Sequence, residues 1–354
     1  PPEPGLLYNG TAVRTGGWPP VKIDYSIEKQ KMVHAVTVYD LAHRAGLTTA
    51  QMDWVAINNA PTITWDFPER ATSKDPLVRE MIGRGVLTAS DVDQPPKATI
   101  LWRDQIWTKA AEYAIRQHKP NLLLIHLLSL DSTKHTYATN TLAAYDGIAF
   151  LDSCAGRVLD TIRAAGLEQR TTVIVVSDHG FKQFHKQIRP ALALAAAGLG
   201  KRAFVVPEGG SAMIYVDKTA ARELVPQVRK IFTGAEGISR VAARADFPAL
   251  GMPDPSKDSQ APDVVLYAKD DYAFGNAPDA SGPVVIAKDT PAGAHGYINT
   301  DPDMNAIFIA SGYNIRYASL GDIKNLQVAP ILAALLQVHL PHPSSPIPQD
   351  LFAQ

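Results

Sequence analysis

The chain has 354 residues, enough for one large domain or two ordinary ones. Hydrophobic residues make up 46% of it and charged residues 19%, which predicts a sizeable buried core and excludes global disorder. The net charge of -1, with acids and bases interspersed, excludes the basic stripe that a nucleic-acid-binding surface needs to neutralise phosphates.

Cysteine content and apolar run lengths limit the remaining classes. Cys154 is the only cysteine, so that neither an internal disulfide nor a cysteine-based zinc cluster is expected. The longest apolar runs, such as "NLLLIHLLSL", are too short to cross a bilayer, so that no transmembrane segment is predicted. The sequence opens "PPEPGLLYNG", without an initiator Met or a signal peptide, and we therefore expect a processed or truncated product whose targeting segment lay upstream.

The first third of the chain is predicted to contain helices, one strand and loops. A helix is expected to end near Ala45-Gly46 and to be followed by a strand at 53–57. Residues 58–100 are rich in Pro, Asp and Thr, and we interpret them as surface loop and short helix. The stretch "LWRDQIWTKAAEYAIRQHK" has apolar residues at helical spacing and predicts a helix that stops before Pro120.

The middle of the chain alternates buried strands with a helix. "NLLLIHLLSLD" and residues 171–177 are continuous apolar runs of strand type, and the long amphipathic helix between them stops at Gly166. Fully apolar strands joined by helices predict a parallel sheet covered on both faces. Ligands of such sheets gather at the carboxyl ends of the strands, where Asp131 and Asp178 are expected.

The last third predicts a small added subdomain and a return to the sheet. Residues 201–285 combine short alternating strands with one helix, which indicates an α+β insertion or cap. The chain then returns with a loop and a buried strand in "AGAHGYINTDPDMNAIFIASG" and a helix in "VAPILAALLQVHLP". The predicted domains are therefore a core of residues 1–200 and 286–354 and an insertion of residues 201–285.

Three short clusters of acids and imidazoles carry the candidate chemistry. "SLDSTKH" supplies Asp131 and His135, "SDHG" supplies Asp178 and His179, and "AGAHGY" supplies His295. Each lies in a loop next to a predicted strand. Asp oxygens and His nitrogens that converge on one sheet edge point to a divalent metal site, which would also supply the charge that a carboxylate beside a core needs.

Each cluster taken alone has a simpler interpretation. An Asp after a strand is often a helix N-cap or a turn former, and this interpretation is favoured for Asp131 by itself. An isolated histidine is more often a surface or hydrogen-bonded residue than a metal ligand, and His118 and His126 are interpreted in that way. The ordered set of three clusters is what favours the metal site.

The ordered set "LLLIHLLSLDSTKH", "VIVVSDHGF" and "AGAHGY" resembles the alkaline phosphatase superfamily, and most closely its type I phosphodiesterase/nucleotide pyrophosphatase family. "EGGSAMIYV" and "VAPILAALLQVHLP" resemble the family too, so that the likeness extends over essentially the whole chain. It implies an α/β three-layer sandwich with a mostly parallel central sheet and helices on both faces. It also implies two zinc ions, one held by Asp131, His135 and His295 and the other held in part by Asp178 and His179.

The same resemblance places the nucleophile outside the given residues. The family uses a Thr or Ser at a helix start, and "LLYNG" resembles the segment that comes after it, so that the nucleophile is expected upstream of Pro1. Asn9 would then contact the substrate phosphate, although an ordinary Asn-Gly turn is an equal alternative. The strand that precedes the nucleophile is interior in this fold, and its deletion would leave two rows of unpaired backbone groups.

The function that the resemblance implies is hydrolysis of a small phosphate ester, such as a nucleotide, by a two-zinc phosphodiesterase or nucleotide pyrophosphatase. The reaction would pass through a covalent phospho-enzyme intermediate. Relatives of this kind are commonly exported, so that a periplasmic or extracellular location is expected. The alternatives are a non-catalytic metal-binding relative and a phosphomonoesterase or phosphonate hydrolase on the same scaffold. A sulfatase is disfavoured because Cys154 falls in a predicted helix.

Overall fold

The computed structural model describes residues 27–93, 99–258, 260–276, 281–343, 345–348 and 350–353, and the backbone of residues 12–14 and 21–23. The strands are β1 (Ala12–Arg14), β2 (Val21–Ile23), β3 (Thr49–Met52), β4 (Trp65–Phe67), β5 (Leu122–Ile125), β6 (Thr172–Val176), β7 (Lys182–Ile188), β8 (Ala203–Glu208), β9 (Ser211–Val216), β10 (Ile238–Ala243), β11 (Val264–Ala268), β12 (Asp271–Phe274), β13 (Val285–Ala294) and β14 (Phe308–Gly312). The helices are α1 (Lys29–Met32), α2 (Val38–Arg44), α3 (Pro76–Gly83), α4 (Ala89–Val92), α5 (Ile100–Gln117), α6 (Ser129–Tyr137), α7 (Leu142–Ala164), α8 (Pro190–Ala196), α9 (Ala221–Phe232) and α10 (Val328–Leu335).

The chain divides into two compact units. The first is made of residues 1–26, 133–144 and 179–305, and the second of residues 27–132, 145–178 and 306–354. The cut between them passes inside α6, which is one continuous helix.

The second unit contains a parallel sheet with helices on both faces. Its strand order is β4-β3-β5, and both pairings are parallel. Successive side chains of β5 point to opposite faces, so that Leu123 and Ile125 face the cluster of α3 and α5 while Leu122 and Leu124 face that of α2 and α10. The predicted layering of helix, parallel sheet and helix is present around these three strands.

Residues 58–100 contain short helices, as predicted, but they are not confined to the surface. They supply β4, which pairs with β3, and α3, whose Leu77, Val78 and Met81 are buried in the core. That part of the prediction was wrong because β4 has only three residues, too few to show a period. The α3 face is likewise short, and it comes after a Pro- and Asp-rich stretch whose composition is typical of loops.

The strand predicted at 53–57 lies earlier, at Thr49–Met52, where all four residues are buried. Asp53 ends the strand because its backbone adopts a left-handed conformation, with φ +58°. Ala56 has φ +53° and also falls outside an extended conformation. The polar Thr49 and Gln51 hid the buried character of the strand, while the apolar Trp54 and Val55 shifted the prediction forward.

The strand β6 is present as predicted but is less buried than its sequence indicated. Val175 is 41% exposed and Val176 is 37% exposed. Within the described ranges, β6 pairs only with the antiparallel β14, whose Ile309 is also exposed, and β5 pairs only with β3. The expected full burial of β6 and β14 was therefore wrong, since each has a single neighbouring strand in the part of the chain that the structure describes.

The long helices agree with the sequence. The helices α5, α7 and α10 lie where the apolar periodicity placed them, and Gly166, with φ +68°, lies just past the end of α7. The helix α2 ends at Arg44, one residue before the predicted stop, and begins with a capping box between Thr37 and Asp40.

The described part of the first unit contains the antiparallel pair β1–β2 and two larger sheets. Four antiparallel strands in the order β10-β11-β9-β8 bury Leu224, Val228 and Phe232 of α9, which recur every four residues along one helix face. A second sheet has the order β12-β7-β13, in which β7 pairs in parallel with β12 and antiparallel with β13. The sequence analysis did not identify β7, in which Phe184 and Ile188 are the only apolar residues among charged and polar ones.

A buried ion pair predicts how the stability of the fold depends on pH. Asp40 accepts hydrogen bonds from Lys29, from Thr62 and from the backbone of Thr37. Burial alone would raise the pKa of Asp40, but these bonds lower it to about 2. Because this pKa lies below its ordinary value of 3.8, the ionised carboxylate stabilises the fold above about pH 4, and this contribution disappears as the pH falls through 2.

We therefore expect Asp40→Asn to lower the free energy of unfolding by about 2 kcal/mol at pH 7 and by progressively less between pH 4 and pH 2. Urea denaturation at several pH values measures the difference. Asp160→Asn is the control, since Asp160 and its partner Arg163 are both exposed and their pair should contribute less than about 1 kcal/mol. An Asp40→Asn effect that did not vary with pH would contradict this account.

Candidate metal centre

Three histidine rings of the first unit contact one another. The rings of His179 and His295 stack with their centroids 3.8 Å apart, and the His135 ring meets the His295 ring edge-on at 4.9 Å. Phe181 covers the cluster and makes edge contacts with His135 at 4.9 Å and with His295 at 5.3 Å. Segments that are far apart in sequence therefore deliver imidazoles to one place.

Asp131 joins this cluster through helix α6. It lies one turn before His135, and side chains four residues apart share a helix face. A carboxylate oxygen of Asp131 and ring nitrogens of His179 and His295 lie within 4.8 Å of one another. Asp131 was expected in a loop after a strand; it instead lies in the first turn of α6, because β5 ends at Ile125.

The start of α6 is fixed by a buried carboxylate that the sequence analysis did not single out. Asp104 of α5 is fully buried and accepts hydrogen bonds from the backbone N–H groups of Leu128 at 3.0 Å and of Ser129 at 2.9 Å. Burial raises the pKa of Asp104, while these bonds oppose the shift. An acceptor for the first N–H groups of a helix holds that end in place, and Asp104 thus positions the turn that carries Asp131.

Backbone carbonyls orient two of the rings. Nδ1 of His135 lies 3.0 Å from the carbonyl oxygen of Gly293, and Nδ1 of His179 lies 3.0 Å from that of Gly180. A carbonyl can only accept, so that each Nδ1 carries a proton, and in the neutral ring the lone pair then lies on Nε2. Histidines that bind metals commonly donate their other ring N–H in this way.

The electrostatics of the cluster favour a neutral ring at His295. Burial, together with the neighbouring His179 and His135, lowers the pKa of His295 to about 3. A neutral imidazole offers a lone pair, and the nearby carboxylate of Asp131 offers an anionic oxygen. This donor set fits zinc or a similar divalent ion.

Two glycines allow the β8–β9 hairpin to approach the His295 loop. A Cβ at Gly209 would lie 2.6 Å from the carbonyl oxygen of His295, and one at Gly210 would lie 2.4 Å from the backbone nitrogen of Tyr297. The N–H of Gly210 donates to the His295 carbonyl at 2.7 Å. The "EGGSAMIYV" stretch therefore supports the loop that presents His295.

A second polar pair lies at the strand ends of the second unit. Oδ2 of Asp53, directly after β3, lies 2.9 Å from Nδ1 of His126, directly after β5. His126 is thus hydrogen-bonded, in agreement with its interpretation, whereas Asp53 was not identified as a site residue. Both come directly after an apolar residue, Met52 and Ile125, but the strand predicted at 53–57 concealed that Asp53 lies at a strand end.

Asp178 comes directly after Ser177 at the end of β6, and its backbone carbonyl accepts a hydrogen bond from Asn325. The structure groups His179, rather than His135, with Asp131 and His295, and the division of these residues between two ions stays a prediction. Asn9 lies outside the described residues.

A comparison with protein families identifies the family to which this chain belongs. The sequence profile of the type I phosphodiesterase / nucleotide pyrophosphatase family matches residues 6–298, which is most of the chain. The chain belongs to this family. Its membership confirms the predicted resemblance and the prediction of a phosphoric ester hydrolase.

Solved structures confirm the fold class. Murine ectonucleotide pyrophosphatase / phosphodiesterase 5 is 17% identical, with a TM-score of 0.65 over 92% of this chain and 77% of that chain. An inactive variant of the same murine protein in complex with AMP is 18% identical, with the same TM-score and coverage. Phosphonoacetate hydrolase from Sinorhizobium meliloti 1021 in complex with phosphonoformate is 16% identical, with a TM-score of 0.62 over 93% of this chain and 78% of that chain. These proteins share the alkaline phosphatase-like α/β fold predicted from the sequence.

A more local likeness exists among curated proteins. GPI ethanolamine phosphate transferase 1 of Saccharomyces cerevisiae is 26% identical over 108 residues. The match covers 28% of this chain and 12% of that protein, so that it concerns a small part of the yeast enzyme.

In the described ranges, none of the helices is both long and apolar enough to cross a bilayer.

The contact between Gly293 and α6 gives a test of the site geometry. A Cβ at Gly293 would lie 2.3 Å from the carbonyl oxygen of Lys134 and 3.0 Å from the Phe181 ring. We expect Gly293→Ala to displace the turn that carries His135 and to lower the free energy of unfolding by about 1–3 kcal/mol. Thermal unfolding followed by circular dichroism measures this loss.

Gly156→Ala is the matched control, since a Cβ at this position in α7 would meet no atom within 4 Å. That change should leave stability unaltered or raise it by about 0.5–1 kcal/mol. Equal effects of the two substitutions would contradict the close packing of Gly293 against α6.

Proposed function

We propose that this protein hydrolyses small phosphodiesters or nucleotide pyrophosphates with two divalent cations, most simply zinc. The observation that carries the proposal is the contact between three imidazoles beside the Asp131 carboxylate, in a chain of this family. The AMP complex of a structurally similar protein supports a nucleotide-like substrate.

Asp131, His135 and His295 are proposed to hold one cation, with Asp178 and His179 among the ligands of the other. The stacking of His179 on His295 supports adjacent sites, because rings from the two proposed sets touch. When bound, the two cations would supply Lewis acidity, which activates the attacking hydroxyl and stabilises charge on the phosphoryl and leaving-group oxygens.

The protein's own residues prepare this chemistry. The carbonyls of Gly293 and Gly180 fix the tautomers of His135 and His179, so that in each neutral ring the lone pair lies on Nε2. The low pKa of His295 keeps its ring neutral over the physiological range. Phe181 packs against these rings and excludes water from one side of them.

A covalent phospho-enzyme intermediate on a Thr or Ser completes the proposal. Trapping this intermediate by acid quench of the full-length protein, followed by mass spectrometry of its peptides, identifies the nucleophile. Asn9 is proposed to contact the substrate phosphate, and the predicted export of the protein stays a prediction.

Metal analysis tests the ligand assignment. We expect His295→Asn or Asp131→Asn to release one divalent ion per chain while the far-ultraviolet circular dichroism spectrum stays unchanged, because these residues lie outside the described hydrophobic core. His185→Asn is the control, since His185 bonds Asp271 on an exposed part of β7. Retention of both ions by the site variants would refute the assignment.

Paired ester substrates test the reaction class. The full-length, zinc-loaded protein should show a higher kcat/KM for bis(4-nitrophenyl) phosphate than for 4-nitrophenyl phosphate, because a diesterase site accommodates the second ester group. Both reactions are followed by release of 4-nitrophenolate. The opposite preference would assign the protein to the phosphomonoesterases.

A phosphonate hydrolase is the second candidate, and the likeness to phosphonoacetate hydrolase supports it. Release of inorganic phosphate from phosphonoacetate, without cleavage of either nitrophenyl ester, would favour that activity. A protein that binds metal and cleaves none of these compounds would be a non-catalytic relative.

A further inference from the structure

Asp53 and His126 form a buried acid–imidazole pair at the carboxyl ends of two neighbouring parallel strands. Asp53 is 1% exposed, and its Oδ2 lies 2.9 Å from Nδ1 of His126. The second oxygen of Asp53, Oδ1, is buried and has no hydrogen-bond partner among the described residues. An unsatisfied carboxylate oxygen is costly in a core, and its presence at a strand end indicates a functional role.

The backbone holds this pair firmly in place. The N–H of Asp53 donates to the carbonyl of Phe67 at 2.9 Å, and the N–H of His126 donates to the carbonyl of Met52 at 3.0 Å. Asp53 is kept in a left-handed conformation that residues other than glycine rarely adopt. Such conformations persist where the surrounding structure enforces them, and they concentrate at functional sites.

The charges around His126 favour its protonated form. Burial would lower the pKa of His126, but the bond and charge of Asp53, with the charges of Asp178 and Asp104, raise it. Burial raises the pKa of Asp53 to about 6, against the attraction of His126, so that the carboxylate is still largely ionised at neutral pH. Since Nδ1 is engaged by Asp53, the imidazolium has one further N–H, at Nε2.

Within the described part of the chain, the side chain of His126 makes one hydrogen bond, from Nδ1 to Asp53. Its Nε2 nitrogen has no hydrogen-bond partner there. The His126 side chain is 30% exposed, so that a ligand has access to it. A protonated imidazole has no lone pair that could bind a metal. In the described ranges the candidate metal site groups Asp131, His179 and His295, and His126 is not among them. His126 is therefore suited to donate to an anion.

We propose that His126, oriented by Asp53, is a substrate-binding residue whose Nε2–H donates a hydrogen bond to a phosphoryl oxygen of the ester held beside Asp178. Its ligand class rests on the proposed function. The bond is charge-assisted, and Asp53 fixes the ring before the substrate arrives, which reduces the entropy lost on binding. Asp53 is a positioning residue, since it acts through His126.

Isothermal titration calorimetry with inorganic phosphate, on the full-length zinc-loaded protein, tests this proposal without measuring turnover. In His126→Asn the amide nitrogen takes the place of Nδ1 and can still bond Asp53, but the donor at Nε2 is lost. We expect phosphate affinity to fall on the order of tenfold to a hundredfold. His126→Gln places an amide near Nε2 and should recover part of the loss.

The matched control is His118→Asn, because His118 stacks on Trp65 in the same unit, away from the strand-end pair. Asp53→Asn should weaken phosphate binding less than His126→Asn, and the double variant should bind no worse than His126→Asn alone, because Asp53 acts only through His126. Additive losses would overturn the positioning role.

Metal content, measured on the same samples, separates the outcomes. Unchanged phosphate affinity in His126→Asn would overturn the inference, as would a loss that accompanies a loss of zinc, or a wild-type protein that binds no phosphate. If the wild type cleaves no ester but His126→Asn binds phosphate more weakly at full metal content, the proposed function fails and the phosphate-binding role stands.

Discussion

The candidate metal site is constrained by the electrostatic cost of packing three imidazoles together. His135, His179 and His295 have ring centroids 3.8–4.9 Å apart along their contacts, and simultaneous protonation would place positive charges against one another in a partly buried site. The fold meets this constraint by keeping His295 neutral. Backbone carbonyls accept hydrogen bonds from Nδ1 of His135 and His179 and fix the orientation of those rings. Lone pairs and one carboxylate then converge where a cation would lower the energy further.

The strands of the second unit carry polar residues at their carboxyl ends. Asp53, His126 and Asp178 each occur at or just past the end of a strand, and the fully buried Asp104 bonds the backbone that leads from β5 into α6. Polar side chains at these positions are held by strands that cannot shift without breaking their ladders. The strand ends of these two sheets therefore fix the directions of groups that would be mobile on free loops.

Much of the fold could be predicted from the sequence, because hydrophobic periodicity over long segments and the order of residues along the chain are local signals. The helices α5 and α7 were predicted in this way. Of the candidate ligands predicted from residue order, the structure brings Asp131, His179 and His295 together. The sequence could not show that Asp131 lies on a helix, since that depends on the bonds that Asp104 makes 24 and 25 residues along the chain. Nor could it show the Asp53–His126 pair, which joins residues 73 positions apart. The exposure of β6 was missed because a run of valines shows that a strand is apolar but not how many neighbours cover it.

The two adjacent glycines at 209 and 210 link the antiparallel sheet of the first unit to the loop that carries His295. With no side chain on either residue, the hairpin backbone rests directly on the backbone of that loop, and no flexible atoms lie between them to absorb a change. An alteration in the hairpin would be transmitted to His295 as a displacement of its main chain. The hairpin turn and the main chain of His295 are therefore mechanically coupled, and a residue larger than glycine at either position would require the loop to move.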